Sequence, residues 1–143
     1  MGVGHHGRAD GARVSEVLGM TRNRKSAKSA GTKFEQDVAT YLRLALHDER
    51  IERRARNGNK DRGDISGLIH MGGRIVVECK NTARIELGTW ANEAEVERGN
   101  DDAVAGIVVH KRHGKGQARD QWVTMTLADL VSILTGAREG VPF

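Results

Sequence analysis

With 143 residues, one proline and no internal repeat, the chain is sized for a single domain with a tail or two. Aromatic residues make up only 3% of it, so aliphatic side chains must fill the core. One cysteine, Cys79, excludes an intramolecular disulfide framework and the four-thiolate zinc or iron–sulfur cages.

The net charge of +4 is unevenly placed. Residues 1–33 carry seven Lys or Arg against two acids, net +5, and the remainder carries 16 against 17, net −1. A basic arm on a near-neutral body points to a polyanionic partner, because phosphate neutralisation releases counterions. A solvated leader accounts for the same charge. No apolar run approaches the roughly 18 residues of a membrane span, and the polar N-terminus lacks a signal-peptide core. The expectation is a cytosolic protein with no membrane partner.

In chain order, residues 1–30 are read as a basic, partly disordered arm and 31–143 as the body. "MGVGHHGRADG" is poor in apolar residues, and "ARVSEVLGM" offers one or two helical turns through Val14, Val17 and Leu18. "TRNRKSAKSAGTK" is a basic, small-residue linker with too little apolar surface to order itself. In "GTKFEQDVATYLRLALHDER", Phe34, Val38, Tyr41, Leu42 and Ala45 fall at helical spacing, with Thr32 as N-cap. Glu35 lies beside that stripe. "IERRAR", 51–56, alternates as a short strand, and "NGNKDRG" is a turn-rich loop carrying Lys60 and Arg62.

Strands are predicted over Asp64–His70 and Arg74–Lys80, joined by the hairpin signal "MGG". A helix over about Leu87–Arg98 should show an acidic surface (Glu93, Glu95, Glu97) and pack through Trp90 and Val96, with Gly99 as its stop. "AVAGIVVHKR" reads as a buried strand entering a basic loop, "QWVTMTL" as the next strand, and "ADLVSILTG" as a closing helix. The expected fold is α/β: one mixed β-sheet of about five strands flanked by helices.

The chemistry centres on Asp64, Glu78 and Lys80. Side chains alternate along a strand, so Val76, Glu78 and Lys80 share one face while Ile75, Val77 and Cys79 share the other, which should pack on a helix. Glu78 and Lys80 are then about 7 Å apart, and the hairpin brings Asp64 beside them. Two close carboxylates repel unless a cation sits between them, and Mg²⁺ favours such oxygen ligands. A metal there can polarise a phosphoryl oxygen and lower the pKa of bound water, while a lysine orients that water or stabilises charge on the phosphate. The group suits phosphodiester hydrolysis, and Glu35 can supply a further carboxylate, directly or through water. Glu-x-Lys by itself is a weak pattern, common as an exposed strand pair without a role.

"GD-IS…RIVVECKNT" resembles the PD-(D/E)xK nuclease motif, with Gly63 in place of the usual proline. Together with "GTKFEQD", "ERRAR" and "VVHKR", residues 31–126 resemble archaeal-type Holliday junction resolvases and their phage-encoded relatives. The resemblance implies a restriction-endonuclease-like fold over 31–143, in a bacterial or phage-infected cytoplasm. It implies Asp64 and Glu78 as metal ligands, completed by the Cys79 backbone carbonyl, with Lys80 catalytic and Glu35 supporting metal or water. The implied cofactor is Mg²⁺, with Mn²⁺ substituting. The implied assembly is a homodimer whose two sites cut opposing strands of a four-way DNA junction. Two departures bear on the substrate. The helix after the motif has no glutamine, leaving Glu93 or Glu97 in that place, and Gln36 stands where an arginine is usual. Flap- or branch-cutting and restriction-like cleavage remain alternatives within nucleases, and a non-catalytic branched-DNA-binding module is the alternative outside them.

Candidate DNA contacts are Arg24, Lys25, Lys28 and Lys33 in the arm, Arg54, Arg56, Lys60 and Arg62 before the motif, and Lys111 and Arg112 after it. A solvated face also explains each cluster. His110 and His113 lack matching ligands and are read as surface residues. Trp90 and Trp122 are read as core or dimer packing rather than base-stacking platforms, and Cys79 as a small core residue.

Overall fold

The computed structural model describes residues 6–55, 58 and 60–138, with side chains from Arg24 onward. The candidate contact Arg56 lies outside the described residues. The first helix, α1, is continuous over His6–Ala45, so Thr32 is mid-helix rather than an N-cap and the expected linker is helical. No proline interrupts this stretch, and the good helix formers Ala, Arg and Lys recur through it. Packing starts later than the helix: residues 24–30 are all exposed, and Phe34, Val38, Ala39 and Leu42 form the inward arc. The arc is rotated from the expected stripe by Ala39, which leaves Tyr41 exposed and brings Glu35 toward the sheet.

Strand β1 is only Glu52–Arg53. The strand expected over Asp64–His70 divides into β2 (Ile65–Ser66) and β3 (Ile69–His70). Gly67 causes the break: its φ is +85°, and a Cβ there would lie 2.0 Å from the Arg50 carbonyl oxygen. The expected hairpin is present, with Met71 and Gly72 both at positive φ between the partnered His70 and Gly73, leading into β4 (Gly73–Lys80). Helix α2 (Leu87–Asn100) then crosses over to β5 (Ala105–His110). A short 3₁₀ turn at Ala118–Asp120 precedes β6 (Trp122–Thr124) and α3 (Leu127–Thr135).

The sheet has six strands in the order β1-β2-β4-β5-β6, with β3 also paired to β4. Its β4–β5 pair is parallel, as a helical crossover requires, and the other pairs are antiparallel. The chain is therefore mixed α/β, with one strand more than expected because of Gly67.

Alternation along β4 follows the sequence pattern. Ile75, Val77 and Cys79 join Ala105, Ile107 and Val109 in the main core beneath α1, with Ile133 of α3 at its margin. Val108, on the opposite face with Glu78 as its strand partner, packs against Trp90 and Ala94 of α2. The inward line of α2 is Trp90, Ala94 and Glu97, at i, i+4 and i+7. This corrects two expectations: Val96 points away and is 64% exposed, while Glu97 is buried. No helix among the described residues is long and apolar enough to cross a membrane.

Candidate metal centre

The face of β4 that carries Glu78 is covered by α2, and this covering sets the electrostatics. Glu78 is 5% exposed and Glu97 4% exposed, so two carboxylates are buried against each other. Asp61 joins them from the loop before β2; one oxygen from each of Asp61, Glu78 and Glu97 lies within 4.8 Å of the others. That loop is fastened from both sides. The Asn100 amide at the end of α2 donates to the Asp61 carbonyl (2.8 Å), and the Gly63 N–H donates to Asp61 Oδ1 (2.9 Å).

Asp64 is buried beside Glu78 and fixed by three bonds. Its N–H donates to the Val77 carbonyl (2.8 Å), its carbonyl accepts from the Arg54 N–H (2.7 Å), and its Oδ2 accepts from the Cys79 N–H (2.8 Å). Pairing of Ile65 with Val77 sets Asp64 opposite Glu78, near enough for the two charges to act on each other, while Asp64 lies outside the group of Asp61, Glu78 and Glu97. Lys80 Nζ lies 3.5 Å from Glu78 Oε1 and 2.5 Å from Glu93 Oε2. Glu93 reaches it from α2, one turn before Glu97.

Glu35, expected to support a metal directly or through water, lies outside the group of Asp61, Glu78 and Glu97 but within electrostatic reach of Asp64. Its Oε2 accepts from Arg53 Nε (2.8 Å), so α1 and β1 are linked by this ion pair. The Glu35 charge still reaches Asp64 and helps raise its pKa. Cys79 packs in the core as expected, and burial, followed by the neighbouring acids, pushes its thiol far above the ordinary value.

Burial pushes the Asp64 carboxyl up to about 7, reinforced by Glu78 and opposed by the Cys79 N–H. Burial likewise raises Glu78 to about 8, with Glu97 adding to it and Lys80 opposing. Glu97 rises to about 7, again through burial first, with Asp61 and Asp64 contributing. Glu97 acts to raise Glu78 while Glu78 acts to lower Glu97, so these acids titrate as a coupled set. The Lys80 ammonium is held protonated above its usual range: burial acts against it, but Glu93 and Glu78 outweigh burial.

The donor set fits a hard divalent cation. All candidate ligands are carboxylate oxygens, and Glu78 Oε2 and Glu97 Oε2 are buried with no hydrogen-bond partner among the described residues. A Mg²⁺-like ion accepts oxygen ligands and would offset both the burial and the mutual repulsion of Glu78 and Glu97. Asp61 is the member that sequence reasoning missed. Its signal was "KDRGD", an acid three residues before Asp64, masked there by the basic and turn-forming character of the loop.

The basic residues divide into three settings. Arg24, Lys25 and Lys28 are exposed on α1, and Lys33 pairs with Asp37 at 2.6 Å. Arg54, Lys60 and Arg62 line a groove of about 750 Å³ that also includes Asp61, and Arg54 Nε is buried there without a partner among the described residues. Lys111 donates to the Lys115 carbonyl, and the Arg112 guanidinium lies 4.4 Å from the centre of the Trp122 ring.

Two further expectations are corrected. His110 is buried, with its Nε2 2.7 Å from Thr124 Oγ1 and its ring 5.4 Å from Trp90, because β5 is covered by α2 along its whole length. Trp90 is a core residue as read; of the two readings for Trp122, core or dimer packing, the first is overturned, since it is 49% exposed at the edge strand. Compared with protein-family models, curated proteins and solved structures, the chain gives no match to any of them.

Proposed function

We propose that this chain is a divalent-metal-dependent, structure-selective DNA endonuclease with a restriction-endonuclease-like fold, acting on four-way junctions. The observation that carries the reading is the group of Asp61, Glu78 and Glu97 with oxygens within 4.8 Å of one another, Lys80 3.5 Å from Glu78, Asp64 opposite Glu78, and two buried oxygens without a partner among the described residues. The order of motifs along residues 31–126 supports the same reading.

In this reading Asp61, Asp64, Glu78 and Glu97 would hold the ion. When bound, the ion supplies positive charge beside a scissile phosphate and eases deprotonation of water. The protein's own contribution is positioning. Lys80, pinned between Glu93 and Glu78, keeps its proton and offers a donor to the attacking water or to charge developing on phosphate. Hydrolysis joins the water oxygen to phosphorus, breaks one bridging P–O bond and leaves the water proton to be taken up, while the departing sugar oxygen gains a proton. Arg54, Lys60 and Arg62 track the DNA backbone beside the acids, and their cations offset the repulsion between carboxylates and phosphate. A symmetric homodimer would place two such centres on opposing strands of a junction.

Purified protein incubated with labelled four-way, flap and linear DNAs, with and without Mg²⁺ or Mn²⁺, tests this directly. Paired symmetric nicks in the junction, dependent on the ion, are expected. Asp64→Ala and Glu78→Ala should each lower cleavage by roughly a hundred- to a thousandfold, the scale of losing a principal electrostatic group, while junction binding persists. Full activity in both variants would refute the site. Cleavage confined to flaps, or to linear duplex at a fixed sequence, would reassign the substrate. Tight junction binding with no divalent-dependent hydrolysis would indicate a binding module.

A further inference from the structure

Lys80, His110 and Trp122 are direct partners across β4, β5 and β6, so their side chains stand in a row on one face of the sheet. The His110–Thr124 bond, between residues of that same face, agrees with this placement. The middle position, His110, is sealed beneath Trp90. The outer position is open: Trp122 presents about half its surface to solvent with the Arg112 guanidinium stacked on its ring. At the usual strand spacing of about 4.8 Å, Trp122 lies two strands, or roughly 10 Å, from Lys80.

The loop behind the indole is fastened rather than loose. Gln121 Oε1 accepts from the Arg112 N–H at 2.7 Å, and its amide donates to the carbonyls of Lys115 (3.0 Å) and Gln117 (2.8 Å). Lys111, Arg112, Lys115 and Arg119 make the loop cationic, with Asp120 its one acid. A fixed, half-open aromatic face backed by a guanidinium, inside a basic loop, has the chemistry of a stacking surface for an unpaired base. A second copy of the chain suits it less, because a two-fold contact there would set these cations against themselves.

We propose that Trp122, backed by Arg112, is a stacking platform for a nucleobase that the protein draws out of its pair at the branch of the DNA held by the Lys80 centre. The proposal rests on the nuclease reading for its substrate, and it names the feature of that substrate which the protein recognises.

The test is binding in EDTA at low salt, which separates recognition from cleavage. Fluorescence anisotropy compares a junction with intact branch nucleotides and the same junction made abasic at the branch. Wild type should lose about tenfold in affinity on the abasic junction, the scale of one base–aromatic stack. Trp122→Ala should bind both junctions equally, at the weaker value, and Trp122→Phe should recover part of the preference. Melting curves for both variants establish that they fold, and sedimentation checks their oligomeric state. An undiminished preference in Trp122→Ala overturns the platform, as does a change of oligomeric state, which would make Trp122 a contact between copies. The platform stands if wild type cuts no DNA yet the base preference vanishes with Trp122, and in that case it is the nuclease reading that fails.

Discussion

Asp129 and the Asp64–Glu78–Glu97 set are buried acids on one domain, the latter joined by the exposed Asp61, and they are treated in opposite ways. Asp129 sits in the first turn of α3 and is satisfied on every side. Thr126 shares a capping box with it, the Gly106 N–H donates to it, and Arg138 pairs with it at 2.5 Å. Burial acts to raise its pKa, but those donors outweigh burial and hold the carboxyl below its usual range. At the other site the acids face one another, two oxygens have no donor among the described residues, and every resolved shift on a carboxylate of the Asp64–Glu78–Glu97 set is upward. An acid kept for structure is given donors; this group has the donor chemistry that could hold a cation.

Substitution should separate the two by sign. Asp129→Ala removes the capping box and strands Arg138, so a loss of about 1–2 kcal/mol is expected in urea unfolding. Glu97→Gln, measured without divalent ions above about pH 8, removes a repulsive charge and should leave stability unchanged or raised. Destabilisation by both would erase the contrast.

The pH dependence is a second, smaller contrast. Asp64, Glu78 and Glu97 hold protons when folded at pH values where the unfolded chain has released them. Their contribution is therefore complete below the ordinary values of 3.8 and 4.5 and is lost as pH rises through about 7 and 8. Asp129 acts in reverse, contributing above 3.8 and losing that contribution as pH falls through its depressed folded value. The metal-free melting temperature should then fall between about pH 5 and pH 8.5. A flat profile would mean that these acids are solvated like surface groups.

Mg²⁺ or Mn²⁺ sharpens the comparison further. A cation must displace the protons held on this group, so the rise in melting temperature on adding the ion should be larger near pH 8 than near pH 6. EDTA should reverse the rise, and Glu78→Ala should abolish it. An equal rise in that variant would place the ion elsewhere.

Much of this site was readable in the chain because its parts are local. The two-residue period of "RIVVECK" fixed which side chains share the Glu78 face, and the Met71–Gly72 turn fixed that Asp64 would return to it. The strand order of residue types likewise carried the α/β class. Gly67 could be seen as a glycine in the sequence, but not as the point where the Arg50 carbonyl crosses the strand, so one expected strand became two.

Tertiary structure decided what the neighbours of those residues are. A helix shows the same charges to any partner, and only the docking angle of α2 made Glu97 a buried member of the site and Val96 an exposed one. The same docking buried His110, and the sheet edge exposed Trp122. Short-range periodicity is set by backbone geometry and can be read residue by residue. Burial, and with it the shifts of Asp64, Glu78 and Glu97, depends on segments far apart in the chain meeting, which no local pattern encodes.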